Sequence, residues 1–150
     1  MGIKVISKNK KAYHNYQIGD TFEAGIALVG TEVKALRAAK INLGEGGVDI
    51  SNQEEAWLKD VHIGHYSHGN RQNHDETRPR RLLLKKYEIK RLARKLNEQG
   101  FALVPTKVYF KRSYIKVEIG LGKGKKLHDK RESSKAKDAN REMSRALKNR

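Results

Sequence analysis

Residues 21–29, TFEAGIALV, set Phe22, Ala24, Ile26 and Leu28 against Glu23, Gly25 and Ala27. That alternation is the period of a strand with one face in a core. Residues 56–63 (AWLKDVHI), 101–110 (FALVPTKVYF) and 113–121 (SYIKVEIGL) read as further strands, and 47–50 (GVDI) as a short one. Only Lys111 and Arg112 separate the last two long runs, which predicts a tight hairpin. In its second arm Ile115, Val117, Ile119 and Leu121 share a face, while Lys116 and Glu118 look outward. Two segments switch to the helical period. Residues 31–41 place Val33 and Leu36 at helical spacing behind a candidate N-cap, Thr31. Residues 85–100 put Ile89, Leu92, Ala93 and Leu96 on one stripe and end at Gly100, a suitable C′ residue. Short antiparallel strands with one or two packed helices predict a mainly β fold, a small closed or nearly closed barrel. Apolar periodicity stops near residues 120–124, dividing the chain into a barrel, 1–121, and a tail, 122–150.

Charge changes the picture. The 150 residues carry 33 Lys plus Arg against 17 Asp plus Glu, a net of +16. Residues 122–150 hold 11 basic and 4 acidic residues, so the tail is about three times as densely charged as the barrel. Such an excess calls for an anionic partner, nucleic acid before a membrane surface. No apolar run approaches the ~18 residues of a spanning helix, and the N-terminus has no signal-peptide pattern. Without cysteine there is neither disulfide nor thiol chemistry, which fits a cytoplasmic protein.

Three constellations could carry chemistry. His62, His65, His68 and His74, with Asp75, could suggest a metal or hydrolase site, but His65 to His74 fall in a polar Gly/Asn-rich loop and their spacing matches no tight metal motif. Surface or RNA contacts are expected of them, and no metal, cofactor or catalytic residue is assigned. The segment GLGKGKK (120–126) lacks the spacing and the Lys-Ser/Thr of a P-loop and reads as a flexible basic linker, its glycines admitting a phosphate chain. Tyr13, Tyr16, Tyr109 and Tyr114 are interleaved with cations, Lys11 among them, and RPRRLLLKK (78–86) adds a basic run. Unpaired bases stack on such rings at roughly 1–3 kcal/mol each. RNA binding is therefore the expectation, with a generic single-stranded nucleic-acid binder as the alternative.

The stretches NKKAYHNY, FEAGIALVGTEVKALRAAKINL, EAWLKDVHIGHY, NHDETRPRRLLL and GLGKGKKLHDKRE, sampling residues 9–132, resemble the SmpB family, the bacterial partners of transfer-messenger RNA. The resemblance implies an OB-type barrel with flanking helices and no catalysis. It implies a monomer that binds the tRNA-like part of that RNA and brings it to stalled ribosomes. The family's RNA contacts carry over onto Asn9, Glu23, Leu83 and Lys116, beside Lys11 and Tyr13 from the basic-aromatic segment. Its decoding-site contacts carry over onto His128, Asp129, Lys130 and Arg131, within a tail whose Lys123, Lys125, Lys126, Lys137, Arg141, Arg145 and Lys148 would follow the vacant mRNA channel. Two departures touch local RNA contacts: GEGGV at 44–48, and Glu76 where the family usually has proline.

Glu23 is unexpected on an RNA face, where phosphate would repel it. It could accept from a base edge or a 2′-OH, orient a neighbouring cation, or be an ordinary exposed strand residue. In the tail, Ala136, Ala139, Met143, Ala146 and Leu147 share a helical stripe opposite Lys137, Arg141, Arg145 and Lys148, and Ser133 or Ser134 can cap its start. The stripe is too thin to dock firmly, so the expectation is a tail disordered when free and helical in an RNA-walled channel, hinged at the GKGKK glycines.

Overall fold

A computed structural model describes residues 3–66, 73–98 and 100–125. In chain order these form β1 (Ile3–Lys8), α1 (Lys10–Asn15), β2 (Tyr16–Ile26), α2 (Gly30–Arg37), β3 (Ile41–Asn42), β4 (Gly47–Ile50), β5 (Ala56–Lys59), β6 (His62–Ile63), β7 (Arg80–Leu83), α3 (Lys86–Leu96), β8 (Phe101–Lys111) and β9 (Tyr114–Gly124). The main sheet runs β1-β8-β4-β5-β7-β2-β9, and β9 also pairs with β8. That last ladder closes six strands into an antiparallel barrel. Strand β1 lies beyond β4 along one edge of β8, at Lys107–Lys111, while β4 meets the same strand at Leu103. The expected antiparallel barrel with flanking helices is what the chain forms.

The inward residues are those the alternation selects. Ala24, Val117 and Val108 face one another across β2, β9 and β8 and are buried together with Leu36, Leu58, Leu82, Leu92 and Ile119. Local chemistry moves several expected boundaries. The 56–63 strand breaks at Asp60, whose φ of 60° turns the chain between β5 and β6. Helix α2 begins after Val29, not Thr31; the Glu32 carboxylate reaches back to the Val29 N–H (3.0 Å), and Thr31 bonds His74 instead. Helix α3 ends at Asn97, and Gly100, with φ of 87°, makes the turn into β8. Strands β1 and β7 and helix α1 had no signal in the periodicity.

The glycine-rich GLGKG segment is strand, not linker. Gly120 pairs with Thr21 and Val104, and Gly122 with Ile18 and Ala102. A Cβ at Gly120 would sit 2.7 Å from Ile18 Cγ2, and one at Gly122 2.8 Å from Tyr16 Cβ. Glycine is needed there because β2 side chains lie across the backbone. The ladder continues to Gly124, opposite Tyr16. The expected hinge at these glycines is corrected accordingly. The histidine at 68 and the tail from residue 126, with its expected helix, lie outside the described residues.

Among the described residues Arg80 and Glu32 form an ion pair with both side chains inside. Arg80 and Glu32 are fully buried. Arg80 Nε donates to Glu32 Oε2 (2.6 Å), its Nη1 to the Val61 carbonyl (2.7 Å) and its Nη2 to the Glu76 carbonyl (3.1 Å). Arg78 also donates to the other Glu32 oxygen. Burial pushes the Glu32 carboxyl up, but hydrogen bonds from Arg78, the Val29 N–H and Arg80 outweigh it and hold it below the ordinary value. Burial lowers the Arg80 guanidinium, with Glu32 opposing. We predict that Glu32→Ala, which strands a buried cation, costs about 3–5 kcal/mol, whereas Glu32→Leu with Arg80→Met recovers most of it, both read by chemical denaturation. Since Glu32 is depressed in the fold, its contribution is complete above the unfolded value of 4.5 and fades as pH falls through the folded value. A Glu32→Gln variant should therefore show a weaker loss of stability on acidification.

Candidate nucleic-acid interface

Registers place the outward side chains of five strands in rows. One row runs Leu83 (β7), Gly25 (β2), Lys116 (β9), Tyr109 (β8) and Val5 (β1). The next runs Glu23, Glu118, Lys107 and Lys8. Leu83 is 56% exposed, an apolar knob on a polar face. Beside it, against the start of α3, lies a groove of about 560 Å³ lined by Glu23, Gly25, Leu83, Lys85, Glu88 and Lys116, among others. A smaller hollow at the other end of the face is lined by Lys8, Tyr13, Lys107 and Glu118.

Glu23 is not an ordinary exposed residue. Tyr109, although it faces outward, is buried, and its hydroxyl donates to Glu23 Oε2. Lys111 Nζ stands 3.3 Å from Oε1. The Tyr109 bond, opposed by burial and reinforced by Lys111, keeps the Glu23 carboxyl below its usual range. Burial first, and then Glu23, push the Tyr109 hydroxyl upward. Glu23 thus orients a cation, one of the roles its sequence left open. Tyr109 is 3% exposed, with Lys107 Nζ 5.4 Å over its ring, so it offers little surface for a base to stack on. Glu118 likewise accepts from Thr106 Oγ1 (2.6 Å). Lys116 makes no ion pair among the described residues and stands 6.0 Å over the Tyr114 ring.

The structure brings Glu23, Leu83 and Lys116 together around one groove, with Tyr13, half exposed, at the hollow on the other end of the face. Asn9 lines that hollow as well but is buried in its floor: its Nδ2 donates to the Pro105 (2.8 Å) and Leu43 carbonyls, and its Oδ1 caps α1 at the Ala12 N–H. Both polar atoms of its side chain are engaged inside, so it positions α1 and the hollow beside it. Lys11 is paired with Glu45 (2.6 Å), which belongs to the unusual GEGGV turn. Lys123 is exposed near the end of β9, over Phe101, and the Lys125 N–H bonds Asn15. The other tail positions, Lys126, His128, Asp129, Lys130, Arg131, Lys137, Arg141, Arg145 and Lys148, are not among the described residues. Tyr16 is half-buried, and the exposed rings are Tyr13, Tyr87 and Tyr114. Tyr87 escaped the sequence reading although it stands directly after two lysines.

The histidines hold a loop together. His74 is buried, donating from Nε2 to the Ile63 carbonyl (2.9 Å), and its Nδ1 shares a hydrogen bond with the Thr31 hydroxyl (2.9 Å). Glu76, at the second departure from the family pattern, pairs with His62 and lies 3.5 Å from His65 Nδ1. The His62 bond holds its carboxyl low. Among the described residues no three such side chains are grouped to hold a metal ion.

Barrel, charge and face together define a class: a small, strongly basic antiparallel barrel presenting an apolar knob and unpaired lysine beside a groove. Known proteins narrow it. The SmpB protein family matches residues 6–149. An SsrA-binding protein of Syntrophotalea carbinolica is 53% identical over all of this chain and 99% of its own length. One from Shouchella clausii is 52% identical over 98% and 94% respectively. A solved structure described as "tmRNA-SmpB: a journey to the center of the bacterial ribosome" is 42% identical, covers 85% of this chain and 93% of its own, and superposes with a TM-score of 0.70. The chain belongs to the SmpB family.

We predict that Tyr109→Phe, which removes a charge-assisted hydrogen bond, lowers stability by about 1.5–3 kcal/mol. Glu23→Ala should cost a comparable amount because it leaves a buried hydroxyl without an acceptor. Equal melting temperatures for Glu23→Ala and the parent would show that the bond carries no stability.

Proposed function

We propose that this chain binds the tRNA-like part of transfer-messenger RNA through the Leu83–Lys116 face and carries that RNA to ribosomes stalled without a stop codon. The observation that carries the proposal is an exposed leucine and an unpaired lysine flanking one groove on a +16 protein of the SmpB family. Relatives named SsrA-binding proteins and a neighbour described with transfer-messenger RNA at the centre of the ribosome support it. In this reading Lys116, Lys111 and Lys107 meet phosphates, held in place by Glu23 and Glu118. Leu83 packs on a base or ribose, and Tyr13 stacks at the far hollow. Asn9 and Lys11 act by placing α1. The tail follows the empty mRNA path, with His128 to Arg131 entering the decoding site first and Lys137, Arg141, Arg145 and Lys148 following on a helix that forms there. The barrel recognises the RNA, and the tail verifies that the path is empty. The protein works as a cytoplasmic monomer and performs no catalysis. No described helix is long and apolar enough to cross a membrane.

Deleting residues 133–150 should leave affinity for transfer-messenger RNA near that of the parent and abolish tagging of stalled chains. A deletion that tags normally, or that loses RNA affinity in parallel, would refute the division of labour. Lys116→Ala and Leu83→Asp should do the reverse, weakening RNA binding while circular-dichroism melting stays put. For about five phosphate contacts, log K should fall with log salt at a slope of roughly −3 to −5. A preference for single-stranded DNA over the structured RNA would favour the generic binder.

A further inference from the structure

Helix α3 carries charges that its own stability does not explain. It is mounted on the barrel by Ile89 and Leu92, which are buried. On the side away from that mount Lys86, Lys90 and Arg94 recur every four residues, all exposed, with Tyr87, 67% exposed, beside them. Other cations of the helix are engaged: Arg91 pairs with Asp20 (3.1 Å) and Lys95 with Glu98 (3.5 Å). Lys86, Lys90 and Arg94 have no ion-pair partner among the described residues. Like charges at four-residue spacing repel within a helix. Lys86 moreover sits at the first helical position, where the macrodipole disfavours a cation. A solvated face chosen for helix stability would place acids there, and Glu88, which caps the Lys85 N–H, is the one acid in that turn.

We propose that the outward face of α3 is a second RNA-binding surface, separate from the Leu83–Lys116 groove, and that its occupant is the sugar-phosphate edge of a duplex RNA. Four residues of helix advance ~6 Å, close to the separation of successive phosphates along one strand, so the three cations can meet consecutive phosphates while Tyr87 lies against the shallow groove. Duplex RNA is recognised mainly by shape and by phosphate and 2′-hydroxyl contacts, which suits a rigid cationic ridge without base-reading groups. The groove and the ridge lie on different sides of α3, with Glu88 and Ile89 lining the former. One protein molecule can then hold two RNA bodies at once. The separateness of the two surfaces rests on the groove's being occupied by transfer-messenger RNA.

The test uses the full chain with Lys86→Glu, Lys90→Glu and Arg94→Glu combined, and a second variant with glutamine at the same positions, each checked by circular-dichroism melting. The probe is a blunt, labelled RNA duplex of roughly 16 base pairs, titrated first onto free protein and then onto protein saturated with transfer-messenger RNA. The parent should bind the duplex in both states. The glutamate variant should lose duplex affinity by about tenfold or more, the glutamine variant by less, and both should keep affinity for transfer-messenger RNA within about twofold of the parent. Parallel loss of transfer-messenger RNA affinity would make the ridge part of the first surface and overturn the proposal. So would unchanged duplex binding, or a loss of binding to phosphatidylglycerol vesicles without loss of duplex binding. Failure of the parent to bind transfer-messenger RNA would sink the reading of the groove instead, and the free-protein arm would still report on the ridge.

Discussion

The buried pair of Glu32 and Arg80 is the constraint on which the functional face depends. Taking both charges out of water is costly, and the pair is tolerable only because every neighbour cooperates. Arg80 ties β7 to α2 through Glu32, to the turn after β5 through Val61, and to the loop before β7 through Glu76. Since strand side chains alternate, an Arg80 fixed inward fixes Leu82 inward and Leu83 outward. A slip of β7 by one residue would bury Leu83 and expel the arginine. The apolar knob beside Lys116 is thus held in register by a charge pair on the opposite side of the sheet, at the other end of the same short strand.

The outer face is organised by carboxylates as much as by lysines. On a chain of this net charge, free cations on one face repel one another. Glu23 fixes Lys111 and, through the Tyr109 hydroxyl, is itself fixed by the core of β8. Glu118 stands near Lys107 (3.9 Å) and is held by Thr106. These acids make the cationic face a defined arrangement, and they leave Lys116 and Lys8 on it without an ion-pair partner among the described residues. An anionic ligand therefore meets charges without a partner beside the pre-placed Lys107 and Lys111, which lowers the ordering cost of binding.

Much of this was legible. The alternation in 21–29 and 113–121 placed Glu23 and Lys116 outward on paired strands, and the stripe Ile89, Leu92 identified the buried side of α3. What escaped was fixed by distant partners. Asn9 looked like a surface residue of a basic segment, but its side chain accepts from the Ala12 N–H of α1 and donates to the carbonyls at 43 and 105. Arg80 was read with its basic neighbours, although it shares parity with Leu82; the acid that permits its burial is 48 residues away. Tyr109 read as a stacking ring because its sequence neighbours are charged, yet Lys107 and Glu23 enclose it. The glycines of GLGKG read as flexible, because nothing local announces that Tyr16 and Ile18 lie across them.

That last feature has a mechanical side. Up to Gly124 the end of β9 is flanked by β2 on one edge and β8 on the other. A tug along the strand axis at its C-terminal end loads both ladders in shear, so their bonds must yield together rather than peel one at a time. The barrel can therefore transmit tension from whatever is attached beyond that point without unravelling, acting as a firm anchor instead of a swivel.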